Sequence, residues 1–111
     1  MNDPKLKLAM ARLLPAHVSI RDNEVLGEHF AWKGAPPNDA IRETEWLYVM
    51  HLVWLTLDRK QRVAFSVHLR EEVIKSGGHA SSFNEDIIAC CENATFNQRA
   101  TAMCKVKRIE L

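Results

Sequence analysis

Three cysteines and five histidines are the residues of this chain with the most reactive side chains. The metal ligands on offer are Cys90, Cys91, Cys104 and His79. A structural zinc site needs ligands in close pairs, two to four residues apart, that converge on one tetrahedron. Cys90 and Cys91 are adjacent, so on a helix they point about 100° apart, and no second close pair exists. Free thiols commonly serve as small buried hydrophobes. The expectation is no metal and no cofactor. A bridge between neighbouring cysteines is strained, and three cysteines cannot all pair. Reduced thiols in a cytoplasmic protein are the simplest assignment. His51 stands in the most apolar stretch, and histidine chemistry there would require it to open into a pocket. His68 and Glu72, four apart, read as a contact on one helix face. Cys90 or Cys91 with a histidine would make a nucleophile pair only if the fold joined them. No Gly-x-Ser-x-Gly, phosphate loop, dinucleotide fingerprint or His-Glu-x-x-His occurs. No catalytic residue is assigned, and the chain reads as a protein that is not an enzyme.

A different chemistry lies toward the C-terminus. Ile88-Ala89, then Asn93, then Thr95 resembles the register of a helix-turn-helix over residues 84–108. There an apolar–alanine pair precedes a turn residue and then the cap of a second helix. On that reading Asn97, Gln98 and Arg99 reach base edges, and Lys105, Lys107 and Arg108 touch phosphates. Two positions depart from the motif. Glu92 stands where the first helix should close on the core, and Arg99 where the second should bury an aliphatic residue.

The aromatic set is the stronger signal. WLYVMHLVWLTL, Trp46 to Leu57, is interrupted by one histidine and one threonine. Tryptophan and tyrosine are enriched among binding anchors. Trp46, Met50, Trp54 and Phe65 are the expected partner-binding residues, shared between core and interface.

The elements that must position these residues follow from spacing. Asp3-Pro4 starts a helix, with a capping side chain and then proline at the first helical position. Leu6, Met10 and Leu13 share its face, and Pro15 ends it. For residues 16–37 the spacing of Val25, His29 and Trp32 favours a short helix. The alternation at Val18 and Ile20 keeps a minor β-hairpin before Gly34 as the alternative. Asn38 or Asp39 caps the next helix, which runs through the apolar stretch. It has one line of Trp46, Met50, Val53 and Leu57, and another of Leu47, His51, Trp54 and Leu55. A helix apolar all round needs cover all round. Asp58 and Gln61 have capping-box spacing. The helix they open has Phe65, Leu69 and Val73 on one side, with Val63, Val67 and Ile74 nearly opposite. Ser76-Gly77-Gly78 breaks it. Ser82 or Asn84 opens a short helix holding Ile87, Ile88 and Cys91. Thr95 to Gln98 is another capping box, and the last helix buries Phe96, Ala100, Met103 and Val106.

The 111 residues therefore predict one helical domain, 1–111, of the all-α class: a compact bundle of five or six short helices around a central apolar helix. A hydrophobic share of 47% with 26% charged residues is an ordinary globular balance. A net charge of +1 excludes a nucleic-acid mimic and a strongly basic phosphate coat. Met1 to Leu14 lacks a signal-peptide core, and no stretch reaches the ~20 apolar residues of a membrane span. The function expected is a small protein–protein interaction, regulatory or inhibitor protein, with a bacterial or phage accessory role. The expected partner is protein, first of all a second copy in a homodimer. A DNA-binding regulator is the alternative.

Overall fold

The computed structural model describes residues 2–23, 27–36, 39–75 and 94–110. Four α-helices and one two-stranded hairpin make up the described fold: α1 (Pro4–Arg12), β1 (Val18–Asn23), β2 (Gly27–Trp32), α2 (Trp46–Leu55), α3 (Arg59–Lys75) and α4 (Phe96–Lys107). The molecule is mainly helical, as the patterning predicts. The described helices number four rather than five or six, and the hairpin makes all-α only approximate. The predicted helix around Ile87, Ile88 and Cys91, the break at Ser76-Gly77-Gly78 and the first helix of the helix-turn-helix register lie outside the described residues.

Three helix starts form as the sequence dictates. The Asp3 carboxylate accepts from the Lys5 amide at 2.8 Å, with Pro4 first in α1. Asp58 and Gln61 exchange bonds, Gln61 N–H to Asp58 Oδ1 at 2.8 Å and Asp58 N–H to Gln61 Oε1 at 3.1 Å. Thr95 and Gln98 close the same reciprocal box on α4. Arg108, in the left-handed region at φ 55°, ends that helix, and the Ile109 amide returns to the Cys104 carbonyl at 2.8 Å.

Two expectations fail. Val18–Asn23 and Gly27–Trp32 pair as antiparallel strands, the alternative to the favoured short helix, with Val18 opposite Trp32 and Ile20 opposite Phe30. Val25, His29 and Trp32 do repeat with helical spacing, but Phe30 and Trp32 also satisfy a period of two. The pairing strand, a non-local partner, decides between them. Asp39 does not cap α2 either. The Ile41 amide bonds the Phe30 carbonyl at 2.8 Å, which holds the chain extended beside β2. A 3-10 turn, Glu43–Glu45, then leads into Trp46 with no side-chain cap.

One contiguous buried cluster joins these elements. Leu6, Met10 and Leu14 enter it from the N-terminal segment, and Val18 from the hairpin. Trp46, Val49, Met50 and Val53 enter from α2, Phe65 and Leu69 from α3, and Phe96, Ala100 and Met103 from α4. Val106, the last residue expected inside from α4, is only partly buried against it. α1 and α4 both pack on α2, while α3 rests chiefly on α4.

Candidate functional site

The wheel of α2 divides as its two lines suggest. Trp46, Val49, Met50 and Val53 face the core, and Leu57 closes it beyond the helix end. Leu47 (48% exposed), Tyr48 (56%) and Leu55 (51%) face outward with His51. At about 100° per residue these four occupy one sector roughly 100° wide. The sector carries rings in series. Trp32 of β2 meets Tyr48 edge-on at 5.8 Å between centroids. Tyr48 stacks toward His51, and His51 toward Trp54, each at 6.3 Å. The Arg62 guanidinium lies over the Trp54 ring at 4.0 Å, a cation–π contact that ties α3 to the end of the series. At the other end the Trp32 indole N–H donates to Glu45 at 2.5 Å.

Inside this surface runs a cleft of about 290 Å³, lined by Met50, His51 and Trp54 from α2, Phe65, Ser66 and Leu69 from α3, and Arg99 from α4. Three of the four sequence-predicted anchors, Met50, Trp54 and Phe65, therefore come together here. Trp46 does not. It is 1% exposed, stacked on Phe96 at 5.5 Å, met edge-on by Phe30 at 5.4 Å and covered by the Lys7 ammonium at 5.4 Å. In a single chain Trp46 is core. Met50 and Phe65 are also buried, and Trp54 is partly open. The residues that offer surface are Leu47, Tyr48, His51 and Leu55. Leu47, His51 and Leu55 were legible as the second line of the wheel. The sequence does not tell which line the core takes.

Among the described residues the polar groups lining the cleft are His51, Ser66 and Arg99. His51 is exposed and opens into the cleft. The Ser66 hydroxyl donates to the Arg62 carbonyl at 3.1 Å, and Arg99 Nε donates to the Ala94 carbonyl at 2.9 Å. No carboxylate or thiol stands among the described lining residues to orient the imidazole. Elsewhere His68 lies 3.6 Å from Glu71, one residue short of the expected partner. Glu72 instead accepts from Lys105 at 2.5 Å, and Lys105, with Lys75, holds its carboxyl below the usual glutamate range. Of the possible metal ligands only Cys104 is described. It is buried, and burial pushes its thiol up. Cys90, Cys91 and His79 lie outside the described residues. Among the described residues no group of three or more His, Cys, Asp or Glu is placed to hold a metal ion. No described helix is long and apolar enough to cross a membrane.

Most of the DNA-reading set on α4 is engaged within the chain. Asn97 Oδ1 accepts from the Asp3 amide at 2.8 Å, which docks α1 on the start of α4. Gln98 is spent on the capping box with Thr95, and Arg99 turns to the Ala94 carbonyl. Lys105 pairs with Glu72 across α3. Lys107 is half-buried, and Arg108 is exposed at the helix end. Against known proteins the chain stands apart: no family model, no characterised protein and no solved structure matches it.

Proposed function

We propose that this chain works by contact, as a non-enzymatic interaction protein of the regulator, adaptor or inhibitor kind, and that it assembles as a homodimer. The observation that carries the reading is where the exposed apolar side chains stand. Of the large hydrophobic residues exposed among those described, Leu47, Tyr48 and Leu55 lie on α2 and Val63, Val67 and Ile74 on α3, with only Ile20 elsewhere. Scattered exposed aliphatics need no explanation, but a concentration on two successive helices marks an interaction surface. The rings of α2 are held in series by their neighbours, so little side-chain freedom is lost when a partner covers them.

The DNA-binding alternative draws no such support. Its three base-reading side chains are occupied by the Asp3 amide, the Thr95 cap and the Ala94 carbonyl. The experiment that tests the reading is size-exclusion chromatography with light scattering over a wide concentration range, beside titration with duplex DNA. A dimer that ignores DNA is expected. A monomer that binds DNA, with affinity falling steeply as salt rises, overturns the reading.

A further inference from the structure

Resting on that homodimer reading, we propose that the outer face of α2 docks on the same face of a second copy, the two helices antiparallel about a twofold axis at His51. Two features of α2 select this occupant. The first is composition. From Trp46 to Leu55 the helix carries no charged residue, and its open sector is aliphatic and aromatic. Interface cores between identical subunits are depleted of charge and more apolar than other interfaces. Such a sector gives a charged foreign surface nothing to recognise.

The second is symmetry. In a twofold contact the same patch must fit itself. Leu47 and Leu55 stand four residues either side of His51, about 6 Å along the axis in each direction. Reversing one helix brings Leu47 level with the second copy's Leu55, and Tyr48 level with its Trp54. The charges flanking the sector run the same way. The entry end, Arg42 to Glu45, is net acidic, and Glu43 and Glu45 both stand there. The exit end, Asp58 to Arg62, is net basic through Arg59, Lys60 and Arg62. An antiparallel pair sets the acidic end of one copy beside the basic end of the other, twice. A parallel pair would set like on like. The helix dipoles favour the same choice.

The rival surface is the outer stripe of α3. Val63, Val67 and Ile74 are exposed there, but Lys60, Arg70 and Glu71 interrupt the stripe. Antiparallel pairing about its centre would bring Arg70 toward its own copy. That stripe therefore serves as the control.

The test measures the dimer dissociation constant by analytical ultracentrifugation for Tyr48→Glu, Leu55→Glu and Val67→Glu, with circular dichroism verifying that each variant folds. The two α2 variants are expected to weaken the dimer about 30-fold or more, the effect of losing a buried anchor, while Val67→Glu leaves it unchanged. Arg59→Glu with Lys60→Glu is expected to weaken it in a salt-dependent way. Under oxidation His51→Cys is expected to give a covalent dimer whose mapped peptides join position 51 to itself. A folded Tyr48→Glu and Leu55→Glu that remain dimers, with Val67→Glu turning monomeric, overturn the α2 face and leave the homodimer standing. A dimer disrupted on α2 with no linkage between the two copies of position 51 overturns the register. A wild-type chain that is monomeric at every concentration overturns the homodimer and this face together.

Discussion

α2 and α3 are consecutive helices, both apolar on more than one side, and the fold treats them in opposite ways. α2 is by far the more hydrophobic, and several elements reach its inner side: α1, α4 and the 3-10 turn pack against it, and the hairpin sends Phe30 against Trp46. Its inner line, Trp46, Val49, Met50 and Val53, is sealed. α3 is longer and more charged, and it leans chiefly on α4. Phe65 and Leu69 are buried, Val73 is only partly so, and Val63 on the far side is 61% exposed. The lesson is that hydrophobic content does not set how much surface a helix shows. The number of elements that can reach it does. Both helices keep an outward stripe, but only that of α2 is uncharged and aromatic.

The sharpest way to break this comparison is to remove one side chain from each inner line. Trp46→Ala is expected to cost about 3–5 kcal/mol, a large part of the ~5–15 kcal/mol that holds a typical domain together. Leu69→Ala is expected to cost about 2–3 kcal/mol, at the low end for such truncations, because α3 has fewer neighbours and can settle toward α4. Urea denaturation followed by far-ultraviolet circular dichroism measures both. Equal losses would mean that α3 is as firmly enclosed as α2. Trp46→Phe sharpens the point. The buried indole N–H has no hydrogen-bond partner among the described residues, so its removal forfeits packing but no hydrogen bond. The loss should be well below that of Trp46→Ala.

Much of this was legible in the sequence, and the rest was hidden for stateable reasons. Caps were readable because they are local: Asp3, Asp58 and Thr95 each bond a backbone amide within three residues. The opposed stripes of α3 were readable because period and chemistry agree there. The hairpin was legible only as the alternative, because Ile20 pairs with Phe30, ten residues on, and helical spacing through Val25, His29 and Trp32 competed with that pairing. The site was half visible. Met50, Trp54 and Phe65 do share one cleft, but Trp46 was drawn inward by Phe30 and Phe96, and these lie far from it in sequence. Tyr48, the most exposed large side chain of α2, is not among the four expected anchors, because spacing alone does not tell which aromatic of an all-apolar helix the core leaves outside.

Substitution on the open ring series gives a middle-sized test. Tyr48→Gln is expected to cost about 1 kcal/mol in the isolated chain, because Tyr48 contacts both Trp32 and His51 and each aromatic pair contributes roughly 0.5–1.5 kcal/mol. No measurable loss would show that the series is an accident of proximity. Acid offers a smaller test, expected to reach at most about 1 kcal/mol, the range of surface ion pairs. Lys105 bonds Glu72 and lowers its pKa in the folded state, with Lys75 adding to the effect against the opposing pull of burial. Lys7 does the same for Glu43, which ties α1 to the entry of α2. A depressed folded pKa contributes stability that is complete above the unfolded value and is lost as pH falls through the folded one. Glu72→Gln should therefore flatten the loss of stability on acidification below the ordinary glutamate range, and Glu43→Gln should flatten it separately. A Glu72→Gln profile that follows the wild type would uncouple α3 from α4 at that contact.

The smallest expected effect is also the most discriminating for α3. Val67 lies mid-helix, 53% exposed, with Val63 a turn before it and Ile74 two turns after. If that stripe meets only water, exchanging Val67 for a better helix former removes little packing and relieves the restricted rotamer of a β-branched residue. Val67→Gln should then leave stability unchanged or raise it by a few tenths of a kcal/mol. The same change at Val53, sealed in the α2 line, would bury an amide without partners and should cost several kcal/mol. A loss above about 1 kcal/mol at Val67 would exceed what exposed surface positions show. It would mean that the outer face of α3 is packed against something in solution, and the contrast between the two helices would vanish.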